Sequence, residues 1–407
     1  MSIAPELTSI SQALAAIGEA VRALPVTKMR LSDALGCTLA AEVKIDIDYP
    51  PFDKAMMDGF AVQSSCCQAD SSRLRIVGEV AAGAVAGSVV GAGEALRINT
   101  GAPVPAGADA VIMIENVEIS PDGREIVTQA RPKPGDHIAR RGVDIRAGEV
   151  VLTAGTSLGP AQIAAAAAAG AATVRVHRRP RMSILVTGDE LVDMTTAPSA
   201  GQIRNSNGPC LLALAAASQC EVVDLGTVGD DKAELAARIQ EGLRADVLCI
   251  TGGMSMGQHD YVPGLLREAG VRLEVQKIAI KPGKPTAFGV GPAGQLVFGL
   301  PGNPVSCFVC FLIFVRPALA GLQGHPVEMP STIPAELELP LKPAGPRAEF
   351  IPARLRQVEP GRWQVAATAW QGSGDPFGLA RSNGLMVRAA HAPVGPSGSI
   401  IPVVPLD

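Results

Sequence analysis

The chain has 407 residues, enough for two to four domains of ordinary size, about 150 residues each. Thirty-five Lys and Arg stand against 39 Asp and Glu, a formal charge of −4, which argues against a general nucleic-acid binder because phosphate neutralisation needs a basic surface. Aromatic residues make up 3% of the chain, which disfavours a base-stacking platform, and 47% hydrophobic with 18% charged residues is a globular composition.

The greasiest run, Val305 to Val315, is about half the ~20 residues of a membrane span and is closed by Arg316-Pro317. The first twenty residues lack the basic start and long apolar stretch of a secretory signal. Eight cysteines are too sparse for a disulfide scaffold, so the chain reads as cytoplasmic with reduced thiols.

In chain order, residues 5 to 24 carry helical apolar spacing, with Ser9 or Ser11 as the cap. From about 40 to 155, Gly and Pro recur and strands are short, an all-β texture. Pro160 opens an Ala-rich helix, since proline fits a first helical turn. From Arg181, strands at 182–187, 221–225, 246–250, 273–280 and 296–300 alternate with helices at about 208–219, 231–243, 260–269 and 304–322. Such alternation predicts parallel pairing through right-handed crossovers in a three-layer α/β domain. After Pro330, five short alternating strands predict a small β-barrel or sandwich.

The polar residues cluster after the α/β strands, in TGDEL, GTVGDD, TGGMSMGQHD, KPGKPT and GLPGNP. Ligands bind outside the carboxyl ends of strands in open α/β sheets. Gly252 and Gly253 serve either an anion-binding nest of backbone N–H groups or a tight strand-to-helix turn. Asp189, Glu190, Asp230 and Asp260 sit in these loops. Taken singly they have bland readings, since Asp231-x-x-Glu234 fits a capping box that makes Asp230 or Asp231 a helix cap and Asp260 fits another. Facing one crevice together, they call for a cation such as Mg²⁺ beside phosphate oxygens. Lys277 and Lys281, four apart, are expected on one face, with Lys284 in the stiff turn that follows. Asn303 and Pro304 fit the cap and first turn of the last helix, whose positive end would point into the crevice. Cys307 and Cys310 have metal-like spacing but apolar neighbours and no second pair, the pattern of a core helix.

In this order, PPFDKAMMDGFAV, INTGAPVPAGADAVIMIENV, TGDEL, GQIRNSN, TGGMSMGQHDYV, KIAIKPGKPTAFG and GLPGNPVS resemble the molybdopterin molybdenumtransferase family (MoeA-like, including the gephyrin E domain) over residues 5 to 400. The resemblance implies a multidomain α/β plus β fold. Its parts are an N-terminal helix (1–26), a linker domain (27–45 and 147–180), an elongated β domain (46–146), a MogA-like three-layer α/β domain with a parallel-rich sheet (181–328) and a C-terminal β-barrel (329–407). It also implies a homodimer whose active site is shared between subunits, with the adenylyltransferase and molybdoenzyme maturation factors as candidate partners and neither nucleic acid nor membrane among them.

The implied reaction takes adenylylated molybdopterin and molybdate with Mg²⁺, releases AMP and leaves molybdenum on the dithiolene. Matching motif to motif, Asp58, Asp144, Asp230 and Asp260 fall at catalytic positions, with Glu190, Asp230 and Asp260 as metal ligands. Thr100, Glu190, Gly252, Gly253, Ser255, Lys277, Lys281, Pro301, Pro304, Arg354 and Ser373 fall at substrate positions. Two departures stand out. Lys54-Ala55-Met56 replaces an Asn-Ser-Ala run, and Pro352 occupies a position where many members carry Arg, leaving Arg354 as the substitute on the same strand face. The alternatives are the adenylyltransferase of the preceding step, which needs neither the β domain nor the barrel, and a non-catalytic scaffold, whose extra linker and fused domain this chain lacks.

Overall fold

The structure, a computed structural model, describes residues 7–84, 87–254 and 261–406. Ser255 and Asp260 therefore lie outside the described residues. The chain divides into two compact units, Met1–Thr27 with Gly36–Ala40 and Arg175–Asp407, and Lys28–Leu35 with Ala41–Val174. The α/β segment and the C-terminal β segment share the first unit.

The first unit opens with α1 (Ile10–Ala20). Ser9 is its cap: the hydroxyl accepts from Gln12 N at 3.1 Å and the Gln12 side chain accepts from Ser9 N at 2.9 Å, a reciprocal box that satisfies two otherwise orphaned donors. Ala13 and Ile17 on its inner face are buried in the large core beneath the α/β sheet.

The second unit is built on a six-stranded sheet of β1 (Gly59–Val62), β2 (Ser72–Val80), β3 (Glu94–Ile98), β4 (Ala110–Met113), β5 (Val117–Ile119) and β6 (Glu125–Thr128), in the order β4-β1-β3-β2-β6-β5. Buried Ala61, Leu96, Ile98 and Val111 fill one face, and Phe60, Leu74, Ala95 and Ile126 the other. Gly59 is required by close approach: a Cβ there would lie 1.9 Å from the Ile112 carbonyl oxygen. Residues 43–44 pair with 150–152 in the same unit. The predicted Ala-rich helix is α2 (Pro160–Ala168).

The α/β domain comprises β7 (Arg181–Thr187), α3 (Asn207–Ala217), β8 (Glu221–Val228), α4 (Lys232–Gly242), β9 (Val247–Thr251), α5 (Val262–Glu268), β10 (Arg272–Gln276), β11 (Ile280–Lys281), β12 (Ala287–Val290), β13 (Leu296–Leu300) and α6 (Pro304–Cys310). Its sheet runs β8-β7-β9-β13-β12-β10. The four strands β8, β7, β9 and β13 pair in parallel, as the alternation predicts. The other two do not. β12, unread in the sequence, is antiparallel to both β13 and β10, so the sheet is mixed. The apolar run at 273–280 is not one strand either: it stops at Gln276, and its last part leaves for another sheet.

After α6 the helix passes through a π-helical stretch at Phe311–Val315 into α7 (Arg316–Leu322). Arg316-Pro317 therefore does not close the run, because Pro317 sits at the start of a new α segment where its missing N–H is tolerated. The continuous helix Pro304–Leu322 is 19 residues long and apolar enough to cross a membrane by length and composition, but 83% of its apolar window is buried inside the protein. Cys307 and Cys310 are core residues of this helix, and Thr286 Oγ1 donates to Cys310 Sγ at 3.0 Å.

The C-terminal strands β14 (Ile333–Leu337), β15 (Ala348–Glu359), β16 (Arg362–Ala367), β17 (Gly384–Arg388) and β18 (Ile400–Pro405), with the short helix α8 (Pro376–Ala380) between β16 and β17, close into a five-stranded barrel through the β15–β17 pairing. Ala353, Leu355, Val365 and Val403 fill it. β11 adds to its outside in parallel with β15, pairing Lys281 with Glu349. Phe350, Leu385 and Val404 join the α/β core, so barrel and α/β domain share apolar packing.

Where β9 begins, Arg178 grips Asp246 with two hydrogen bonds of 2.6 Å and Arg181 N adds one of 2.8 Å. Burial pushes this carboxyl up, but these bonds together outweigh it and hold the carboxyl below its ordinary value of 3.8. A carboxyl depressed in the folded state adds stability above its unfolded pKa and loses it as pH falls through the folded one. Asp246→Asn should therefore lower the melting temperature at pH 7 and flatten its fall below about pH 4, measured by scanning calorimetry across pH.

Candidate functional site

The crevice forms at the carboxyl ends of β7, β9 and β13, because the chain there turns on glycines. Gly252 has φ +92° and Gly253 φ +58°. Both values suit glycine, and Gly252 N donates to the Leu300 carbonyl at 3.3 Å, which ties the end of β9 to the end of β13. A Cβ on Gly252 would lie 2.1 Å from the Thr187 carbonyl oxygen, so β7 and β9 can approach this closely only with glycine present. Of the two readings of this pair, the geometry supports the tight turn: Gly252 is required by close approach and gives its N–H to Leu300.

Polar side chains hold the loops in place. Asn207, 8% exposed at the start of α3, donates through Nδ2 to Thr251 Oγ1 at 3.0 Å and to the Gly302 carbonyl at 2.7 Å. Thr251 Oγ1 in turn donates to the Pro301 carbonyl at 3.0 Å. Asn205 Oδ1 accepts from Gly208 N at 2.9 Å and its Nδ2 donates to Thr227 Oγ1 at 2.9 Å. Thr187 Oγ1 is buried beside the glycine pair with no hydrogen-bond partner among the described residues. Sequence reasoning singled out none of Thr187, Asn207 and Thr251. The available signal was their place, two at strand ends and one at a helix start, each next to a motif already marked.

These loops line a cleft of about 740 Å³ whose walls include Thr187, Glu190, Asn207, Gly252, Pro301 and Pro304. Four sequence-predicted residues, Glu190, Gly252, Pro301 and Pro304, are thus brought together. The barrel closes one side with Gly374, Pro376 and Phe377. Ser373 lies next to this wall: Asn303 Nδ2 donates to Ser373 Oγ at 2.9 Å, and Val305 N donates to the Ser373 carbonyl at 3.0 Å. Asn303 occupies the cap position of α6 but makes no capping bond with its side chain. Its amide ties the proline loop to the barrel instead.

The acidic residues separate by role. Asp231, not Asp230, caps α4, accepting from Glu234 N at 2.8 Å. Asp230 N donates to Asp189 Oδ1 at 2.9 Å, which joins the loop after β8 to the loop after β7. Glu190 folds back over Gly188, where a Cβ would lie 2.5 Å from Glu190 Oε2. Among the described residues no group of three His, Cys, Asp or Glu is arranged to hold a metal by itself. Glu190 and Asp230 are hard oxygen donors on neighbouring loops. That donor set fits Mg²⁺, which takes one or two carboxylates and completes its shell with water and substrate phosphates.

The two lysines do not share a face. Lys277 has φ +65°, which breaks strand alternation at that residue, and it lines a separate small pocket with Met254 and Pro285. Lys281 belongs to β11 on the barrel, where its Nζ donates to Glu349 Oε1 at 3.0 Å. Arg354 shares a strand face with Pro352, as alternation demands, but is exposed and does not line the cleft.

In the other unit, Asp58 Oδ1 accepts from Thr100 N at 2.6 Å and from Thr100 Oγ1 at 3.0 Å, which joins two sequence-predicted residues. These bonds, the backbone one foremost, hold its carboxyl below the ordinary 3.8 and keep it ionised. Asp144 N donates to the Tyr49 carbonyl at 3.1 Å, on an exposed edge where Asp48 and Asp53 are bound by Arg141 and Arg140. Tyr49, Phe52, Met56, Met57 and Val143 are exposed along these segments.

A crevice at the carboxyl ends of parallel strands, with a glycine turn, a loop carboxylate and a barrel wall, defines an α/β ligand-binding domain. Family models match in series: the MoeA N-terminal region (domains I and II) over residues 8–170, a probable molybdopterin binding domain over 183–321 and the MoeA C-terminal region (domain IV) over 334–406. The chain is 33% identical over 390 residues to the molybdopterin molybdenumtransferase of Staphylococcus aureus, covering 94% of this chain and 89% of that protein. It is 35% identical over 381 residues to that of Haemophilus influenzae, covering 93% of each. A crystal structure of the molybdopterin biosynthesis MoeA protein from Pyrococcus horikoshii superposes with a TM-score of 0.82 at 30% identity, covering 98% of this chain and 99% of that one. The chain belongs to the molybdopterin molybdenumtransferase family.

Two substitutions test the site's construction. Asn207→Ala leaves the Gly302 carbonyl without its donor and should cost about 1–3 kcal/mol of stability, read from urea denaturation. Thr100→Val removes the hydroxyl but keeps the backbone N–H. The Asp58 pKa should then rise part of the way towards 3.8 in an NMR pH titration.

Proposed function

We propose that this protein inserts molybdenum from molybdate into adenylylated molybdopterin with release of AMP, the last common step of molybdenum cofactor biosynthesis. The observation that carries the reading is the cleft after β7, β9 and β13, with Glu190 and the Gly252 turn in its wall, on a chain that matches molybdenumtransferases over more than nine-tenths of its length.

The chain's own groups account for binding and orientation. The Thr187 hydroxyl, buried beside the Gly252–Gly253 turn and lining the cleft, suits a polar contact to a phosphate. The Asn207–Thr251–Pro301 bonds hold the proline loop still, which keeps the cleft shaped for its ligand before it arrives. Glu190 and Asp230 would hold Mg²⁺ against the pyrophosphate, where it would neutralise charge that develops as AMP leaves. Lys281, a flexible point charge, suits a tetrahedral oxyanion such as molybdate.

We further propose a homodimer in which the β unit of a second copy brings Asp58, Thr100 and Asp144 to this cleft. The exposed Phe52, Met56 and Met57 beside Asp58 support a face that is covered in the assembly.

Asp230→Asn should abolish AMP release from adenylylated molybdopterin while the protein stays folded, because α4 keeps its Asp231 cap. Normal turnover by this variant would remove Asp230 from the metal site. Asp58→Ala and Asp230→Ala should each be inactive, yet regain activity when subunits are mixed and heterodimers form, since one of the two sites then carries neither change. Verified heterodimers without activity would overturn the shared site.

A further inference from the structure

Beside the crevice lies a second pocket of about 370 Å³, lined by Lys281, Lys342, Phe350, Trp370, Arg388 and Glu349 among others. At its base the carboxylate of Glu349 is buried, 7% exposed, between two cations. Lys281 Nζ donates to Oε1 at 3.0 Å, and Arg388 Nη1 lies 3.6 Å from Oε2. Arg388 is itself 6% exposed and held by the carbonyls of Lys342 at 2.5 Å and Pro393 at 2.6 Å. The backbone fixes the same contact: Lys281 is the register partner of Glu349, and Ala348 N donates to the Ala279 carbonyl at 3.0 Å.

We infer that Glu349 is a positioning residue that aims the Lys281 ammonium at the oxyanion substrate. The inference rests on the function proposed above, in which Lys281 meets molybdate. A lysine reaches its target through a flexible four-carbon stem and carries much rotamer entropy. Here a rigid acceptor, fixed from behind by an immobile arginine, takes up that freedom before the substrate binds. The ammonium has three donors; one is spent on Glu349 and two remain for an oxyanion. The Lys281 side chain is 56% exposed, so those donors face solvent and can be reached. The carboxylate does not repel the anion strongly, because it lies between two cations and the three groups together carry a net positive charge. On this reading the barrel does more than close a wall: it holds a positively charged tip on the KPGKP loop.

The test is direct molybdate binding by calorimetry, together with the molybdate concentration for half-maximal AMP release, in wild type, Glu349→Gln, Glu349→Asp, Lys281→Ala and the double variant Lys281→Ala with Glu349→Gln. Glu349→Gln should weaken molybdate binding roughly three- to tenfold, the range one ordinary hydrogen bond covers, with kcat at saturation changed less. Glu349→Asp, which keeps the charge, should recover most of the loss. In the Lys281→Ala background, Glu349→Gln should cause no further weakening, because the group it positions is gone. A role in folding alone predicts the opposite pattern: a lower melting temperature and fewer active molecules with an unmoved molybdate dependence in both backgrounds. That result, or additive losses in the double variant, overturns the inference. Molybdate binding by wild type without AMP release overturns only the proposed reaction; no molybdate binding by wild type overturns both.

Discussion

The amide of Asn207 is the point on which the crevice depends. It is buried at a helix start and bonds at once to the end of β9 and to the loop after β13. Without it, the Gly302 carbonyl would lose its side-chain donor and Thr251 Oγ1 the donor it accepts from, and a protein tolerates buried unpaired polar groups poorly. With it, the glycine turn and the proline loop keep a fixed separation. Everything a ligand would touch there, from Glu190 to Pro304, hangs on loops whose backbones are pinned by side-chain bonds of this kind.

The barrel supplies the second anchor. Ser373 binds Asn303 and the backbone of Val305, and Glu349 binds Lys281. Two of the crevice's marked loops are thus fastened to a module that contributes no strand to the α/β sheet. Phe350, Leu385 and Val404 share the α/β core, so the fastening is apolar as well as polar. This gives a physical reason for a small barrel in a protein whose cleft is built from α/β loops.

Much of this was legible in the chain. The parallel strands and their helices announce themselves through alternation, because each buried strand is a short apolar run followed by a glycine-rich turn. The family resemblance, read from motifs in order, implies the same architecture, and the family matches bear it out. What stayed hidden depends on tertiary context. β12 is four residues long, too short for periodicity to show. Lys277 takes a left-handed backbone that breaks the expected four-residue spacing, and nothing local in the sequence marks it. Asn303 looks like a cap by type and place, yet its amide finds Ser373, seventy residues away. Asp230 and Asp231 are adjacent and chemically alike, and only the geometry of α4 shows which one caps.

The long apolar helix Pro304–Leu322 has a consequence for how the chain is made. By length and composition it would suit a membrane span, yet 83% of its apolar window is buried inside the protein. Strands β7 to β13, against which it packs, all precede it in sequence, so they leave the ribosome before it does. Phe350, Leu385 and Val404, the barrel residues of the same apolar core, come after it. Synthesis therefore delivers this helix after the strands it packs on, while the core it joins is completed only once the barrel has been made.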